Sequence, residues 1–197
     1  MAVEDTLDGK HRTSAELEAA LPHLRSAPID HGVVDMIVRR PKVNERELVQ
    51  QAELDPAVGL VGDTWNQRRS SRTADGSPHP EMQLTLMNSG VIELLAGGRD
   101  RWPLAGDQLF VDFDLSAEHL PPGTRLAIGD AVVEVSTQPH TGCNKFVERF
   151  GLAAMKFVNS PVGRALNLRG INAKVIQGGR IRVGDVIRRV VLMDRSR

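Results

Sequence analysis

Tyrosine is absent from this chain, cysteine occurs once, and aromatic residues of all kinds make up 4% of its 197 positions. So few rings argue against a stacking platform for single-stranded nucleic acid. Charge of one sign is also missing: 25 basic and 25 acidic residues cancel, with no long block of either sign. Nothing in that balance points to a nucleic-acid partner. One cysteine forms no internal disulfide, which reads as a cytoplasmic protein and not a secreted disulfide scaffold. No stretch approaches the roughly 20 apolar residues that span a bilayer, so no membrane association is expected. The charged segment Met1 to Arg12 lacks the apolar centre of a signal peptide.

Several catalytic signatures are missing as well. No two of the six histidines stand in an H-E-x-x-H pattern, which argues against a zinc hydrolase. There is no G-x-S-x-G elbow, no G-x-G-x-x-G and no phosphate-binding P-loop. A single cysteine rules out a cysteine-rich zinc site.

What is present is a set of turns. Gly62-Asp63, Gly106-Asp107, Gly129-Asp130 and Gly184-Asp185 repeat one pattern. Glycine permits the positive φ of a turn and aspartate bonds its own backbone nearby. The last three pairs run into apolar residues at strand spacing, as in Leu109, Val111 and Phe113. Turn-into-strand, used repeatedly, predicts a mainly β chain built as a barrel. Gly32 to Arg40 reads as a strand with Val34, Met36 and Val38 on one face, stopped by Pro41. Pro121-Pro122-Gly123-Thr124 leads into the strand Arg125 to Ile128, and Gln177-Gly178-Gly179-Arg180 reads as a hairpin turn.

Short helices interrupt the strands. Thr13 or Ser14 caps a helix through Leu21, confined by Pro22 and Pro28. Asn44 and Glu47 resemble a capping box, and Leu48-Val49 follow on either a helix or a strand. Leu84 to Leu95 has helical apolar spacing with a cap at Asn88 or Ser89; Lys145 to Phe157 is helical around Gly151. Asn66 to Pro80 is a long polar loop carrying Arg68, Arg69 and Arg72, of a length that suits a lid or a solvated surface. The resulting division is a loosely held, polar start (1–12) within an N-terminal extension (1–31), a barrel domain (32–190) and a tail (191–197).

The lone thiol sits on Pro139-His140-Thr141-Gly142-Cys143-Asn144-Lys145, after the apolar run Ala131 to Ser136. Cationic neighbours on a polar turn favour the thiolate, the form that attacks electrophiles and binds soft metals. A buried, inert cysteine is the competing reading. Lys145, Arg149, Lys156, Arg164 and Arg169 flank it in sequence and suit either an anion pocket or an ordinary charged exterior.

From about Gly32 to Val190 the chain resembles a MOSC domain, the module named after the C-terminal part of molybdenum cofactor sulfurases. Gly59-Leu60-Val61-Gly62-Asp63 resembles the early G-L-x-G-D signature, and Leu104 to Leu109 the mid-chain strand entry. Leu120 to Thr124, Ile128 to Ser136, Pro139 to Lys145 and Gly178 to Asp185 follow in the family's order. Two segments depart from it. The usual His-Gly-Gly is His79-Pro80-Glu81 here, and Gly-Glu-Asn is Gly106-Asp107-Gln108.

The resemblance implies a MOSC-type β-barrel with several short peripheral helices. It also implies that Cys143 is the catalytic residue and metal ligand for a molybdenum cofactor (molybdopterin). His140, Thr141, Lys145, His79, Asp107, Gln108 and Arg169 are then the cofactor-binding candidates. The expected activity is redox chemistry on N-hydroxylated or related small molecules, with an electron-donor protein as partner. An alternative is a sulfur carrier that takes sulfane sulfur on Cys143 from a cysteine desulfurase, whose pyridoxal phosphate stays on that partner. A third reading, favoured by the two departures, is a non-catalytic binding module.

Overall fold

A computed structural model describes residues 11–190. The expected loose start, for residues 1–10, and the tail, 191–197, lie outside the described residues. In chain order the strands are β1 (Gly32–Arg39), β2 (Glu47–Val49), β3 (Gln51–Asp55), β4 (Gly59–Leu60), β5 (Leu84–Asn88), β6 (Leu109–Asp112), β7 (Arg125–Ile128), β8 (Ala131–Val135), β9 (Ile171–Gln177), β10 (Gly179–Arg182) and β11 (Val186–Arg189). The helices are α1 (Ser14–Ala19), α2 (Leu21–Leu24), α3 (Ser89–Ala96), α4 (Asn144–Asn159) and α5 (Pro161–Ala165).

Seven strands close into a barrel in the order β1-β11-β7-β8-β9-β5-β6, with β6 returning to β1. All neighbours are antiparallel except β5 and β6, which run parallel with α3 on the connection between them. Closure depends on Gly32 and Val33, which pair with Ile187 and Val186. A side chain at Gly32 would collide with the Asp112 carbonyl and the Phe113 ring. The mainly β barrel expected from the Gly-Asp turns is what forms, and all four of those glycines have positive φ.

Two apolar clusters hold the layers together. Leu84, Leu86, Leu109, Val111, Val133 and Ile187 fill the barrel. Met87, Phe110, Leu17, Ile92, Phe146 and Phe150 form a second core between the barrel wall and the helices. Alternation along β6 serves both: Leu109 and Val111 point inward, and Phe110 points out to the helices. Leu17 of α1 is fully buried in that outer core, so the N-terminal helix packs against the helical layer. A capping box joining Thr13 and Glu16 starts it.

Three sequence expectations change. First, residues 84–88 form a strand, not the first half of a helix; the helix begins after an Asn88 cap whose side chain accepts from the Val91 amide. The strand is buried on both faces, so its apolar run carries no period of two. Second, a register shift between Val34 and Met36 breaks the alternation of β1. Val34 and Ile37 enter the barrel, while Met36 and Val38 face the helices.

Third, Gln177 to Arg180 is no hairpin. β9 pairs with β5 and β8, whereas β10 pairs with β3 in a separate three-stranded sheet. The chain crosses between sheets at Gly178-Gly179, where a Cβ on Gly179 would lie 2.5 Å from the Asp130 carbonyl oxygen. Gly179→Ala is therefore expected to cost about 1–3 kcal/mol, because the obstacle is backbone and cannot rotate away. Urea unfolding of the variant measures it.

Elsewhere, Leu48 and Val49 resolve as strand β2, hanging on the far end of β1. Among the described residues no helix is long and apolar enough to cross a membrane.

Candidate functional site

A cleft opens where the end of β1, the turns at Gly62-Asp63 and Gly106-Asp107, the 66–80 loop and the cysteine turn converge. Its larger lobe, about 370 Å³, is lined by Arg40, Trp65, Arg68, Arg69, Arg72, His79 and His140, among others. A second lobe of about 330 Å³ is lined by Arg40, Arg46, Arg68, Gly106, Lys145 and Arg149, with Val43 and Asn44. Arg40 and Arg68 border both, so the two are lobes of one basic cleft.

Two buried ion pairs lie at this convergence. Arg40 grips Asp63 with both forks, at 2.7 Å and 2.8 Å, and donates to the Gly106 carbonyl at 2.9 Å. Asp63 in turn accepts from the Arg40 and Trp65 amides. The family-like Gly-Asp signature thus anchors β1 to the start of the loop. Arg169 donates to Asp107 at 2.7 Å and to the Ala105 carbonyl at 2.9 Å. Its guanidinium also stands 4.9 Å from the Phe146 ring centroid. Burial pushes the Asp107 carboxyl up, against the pull of Arg169 and Arg40.

His140 completes this group. Its Nδ1 lies 3.5 Å from Asp107 Oδ1, and among the described residues neither atom has a hydrogen-bond partner. Burial, then Arg169, Arg40 and Arg72, hold the imidazole well below its usual pKa of 6.5. A neutral ring with Nδ1 facing a carboxylate keeps its proton on that side and leaves Nε2 as an acceptor. The depressed pKa has a consequence for stability. As pH falls below about 6.5 the unfolded chain binds a proton that the folded one refuses, so stability is lost. Asp107, with its raised pKa, contributes the opposite slope. The difference between wild type and His140→Gln isolates the histidine: from pH 6.5 to 5.5 wild type should lose about 1 kcal/mol relative to the variant. Urea titrations at several pH values check it.

The remaining cations have no such compensation. Among the described residues Arg46, Arg68, Arg69, Arg72, Lys145 and Arg149 make no salt bridge. Neutral groups position them: Arg46 donates to the Pro103 carbonyl, Arg149 to the Leu104 carbonyl, Arg68 to Thr64 Oγ1 and Arg72 to Gln138 Oε1. Burial and the neighbouring arginines lower the pKa of Arg46 and Arg68. An arginine stays charged regardless, so the crowding leaves a positive potential that an anion would relieve.

Cys143 is exposed and caps the N-terminus of α4. Its carbonyl accepts from the Phe146 and Val147 amides, while its side chain makes no capping bond. Gly151, at φ 87° and ψ 163°, breaks α4 and lets its second half fold back. Asn159 then reaches the cysteine turn and bonds both the amide and the carbonyl of Gly142. The thiol is not among the residues lining either lobe, but its turn joins them: His140 lines the larger and Lys145 the smaller.

Of the other candidates, His79 lines the larger lobe and caps the short Pro80–Met82 turn. Thr141 is exposed on the cysteine turn. Asp107 and Arg169 are buried at the convergence as described. Gln108 is fully buried and ties β5 in place, accepting from the Thr85 amide and hydroxyl and donating to the Gln83 carbonyl. Lys145 and Arg149 of the expected cationic cluster reach the cleft. Arg164 instead donates to the Asn159 carbonyl, and Lys156 borders a groove beside Ser14 and Glu18. Arg40, Arg46, Trp65 and Asn172 escaped the sequence reading; an arginine ending a strand before Pro41 was the only signal available.

The sequence profile of the MOSC domain matches residues 98–188, a span that holds Asp107, His140, Cys143, Lys145 and Arg169. Over that span the chain is similar to the MOSC domain. No curated protein matches it in sequence. Among solved structures, the YuaD protein from Bacillus subtilis is similar at TM-score 0.59 and 17% identity, over 80% of this chain and 94% of that one. YiiM from Escherichia coli is similar at TM-score 0.52 and 18% identity, over 82% of this chain and 71% of that one. At those identities the likeness is one of fold, and it agrees with the closed MOSC-type barrel.

Proposed function

We propose that this MOSC-domain chain binds molybdenum cofactor in the two-lobed cleft, with Cys143 as the protein's thiolate ligand. The observation that carries the reading is the set of cations without a salt bridge among the described residues, Arg46, Arg68, Arg69, Arg72, Lys145 and Arg149, gathered beside the turn that presents the exposed thiol. The donor set suits the group. Among the described residues no three His, Cys, Asp or Glu side chains form a cage for a bare metal. A pterin-bound metal arrives with its own sulfur ligands and needs one protein thiolate. Arg46, Lys145 and Arg149 would hold its phosphate.

When bound, molybdenum supplies two-electron exchange with N-hydroxylated or related small molecules. The chain's own residues bind the anions, hold His140 neutral through burial and the nearby Arg169, Arg40 and Arg72, and fix the cysteine turn through Asn159. An electron-donor protein is the partner this reading requires. Molybdenum and pterin analysis of protein made in a cofactor-competent host tests it: roughly stoichiometric amounts of both are expected, and their absence from both wild type and Cys143→Ser would refute it.

The exposure of Cys143, outside the residues that line the cleft, favours a second reading. As a sulfur carrier, the thiolate would accept the terminal sulfur of a persulfide on a desulfurase partner, which keeps its own pyridoxal phosphate. Mass spectrometry after incubation with such a desulfurase and free cysteine would then show one added sulfur atom on Cys143.

A further inference from the structure

Charge is distributed across the two lobes more generously than one anionic group requires. Arg46, Lys145 and Arg149 line the smaller lobe. Arg69 and Arg72, with the hydroxyl-bearing Ser70 and Ser71, line the larger one, and Arg68 stands between them. A single phosphate in the smaller lobe leaves the loop arginines facing each other without a counter-charge. Arg69 and Arg72 sit on the exposed 66–80 loop and take no part in the buried ion pairs that hold the barrel end together. The larger lobe also offers what a planar heterocycle needs: the Trp65 ring, the Met82 side chain, and acceptors at Asn172 Oδ1 and His140.

We infer that the substrate of this site is a phosphate monoester of a small heterocyclic compound, its phosphate held by Arg69, Arg72 and Arg68 and its ring placed against Trp65. The inference rests on the cofactor reading for the chemistry, but not for the binding. Guanidinium forks match phosphate oxygens two at a time, and serine hydroxyls supply further donors. Three cations against a dianion also explain why the loop arginines have no carboxylate partners among the described residues. The volume of about 370 Å³ is in the range for a ligand of this size.

The test compares adenosine 5′-monophosphate with adenosine as probes of the full chain, by calorimetry at fixed ionic strength in phosphate-free buffer. The monophosphate should bind at least about tenfold more tightly. The double substitution Arg69→Ala with Arg72→Ala should bring that ratio below about twofold, while Arg164→Ala, at a residue that lines neither lobe, leaves it unchanged. Equal binding of the two probes to wild type would overturn the inference, and so would a ratio that survives the loop substitutions. Molybdenum and pterin content are measured on the same preparations. Unchanged content in the double variant supports the assignment, whereas loss of cofactor there would give the loop to the cofactor and overturn it. If wild type holds no cofactor but still discriminates between the probes through the loop, the redox reading fails and the phosphate pocket stands.

Discussion

Cys143→Ser is expected to lower molybdenum content at least about tenfold relative to wild type while leaving the fold intact, because a serine hydroxyl is a poor substitute for a soft thiolate. The residue is exposed and its side chain makes no hydrogen bond as the cap of α4. Serine is a better N-cap than cysteine, so stability should stay level or rise by up to about 1 kcal/mol. That separates loss of a ligand from loss of structure, which few active-site substitutions allow. Inductively coupled plasma analysis gives the metal, and thermal unfolding gives the fold. Equal molybdenum in variant and wild type would remove Cys143 from the cofactor site. Metal-free wild type that gains a sulfur atom on Cys143 from a desulfurase would move the protein to the carrier reading.

Arg169→Met should have the largest effect on stability, about 3–5 kcal/mol. Asp107 is fully buried, and Arg169 is its salt-bridge partner at 2.7 Å. Removing the guanidinium leaves a carboxylate without its counter-charge and the Ala105 carbonyl without its donor. The already raised pKa of Asp107 would rise further, so the variant should recover part of its stability in acid. Replacing both partners, as Arg169→Met with Asp107→Leu, should restore most of the loss, since a buried pair often does little better than apolar side chains of similar volume. Denaturant unfolding of the two single variants and the double variant measures the coupling. A loss below about 1 kcal/mol in Arg169→Met would show that the pair does not hold this end of the barrel.

The two departures from the family pattern acquire physical content here. At Gly106-Asp107-Gln108, the aspartate pairs with Arg169 and faces His140, while Gln108 bonds the backbone of β5 and its approach. At His79-Pro80-Glu81, the histidine caps a short turn, lines the larger lobe, and is followed by a Glu81 that bonds Thr137. Both segments stand at the cleft, so the changed residues alter its shape and charge from within.

Local rules made much of the chain legible. The Gly-Asp turns, the Thr13 cap, the Asn88 cap, the break at Gly151 and the polar cysteine turn each depend on residues within a few positions of one another. Their regular spacing was enough to expect a barrel, and their order was enough to expect a MOSC domain. Long-range pairing decided the rest. Leu84 to Asn88 is a strand because β6 and β9 flank it. Met36 leaves the barrel because of a bulge in its pairing with β6, and Gly179 enters a second sheet because β10 pairs with β3 and not with β9. The cleft belongs to this second kind of fact. Arg40, Arg46, the loop arginines and Lys145 are spread over a hundred positions of sequence, and like charges do not attract one another into a cluster. Only a closed barrel, with its turns tied down by Asp63 and Asp107, holds those cations together beside the thiol. The sequence by itself determined that a thiol would be presented on a turn; the tertiary structure decided which charges stand around it.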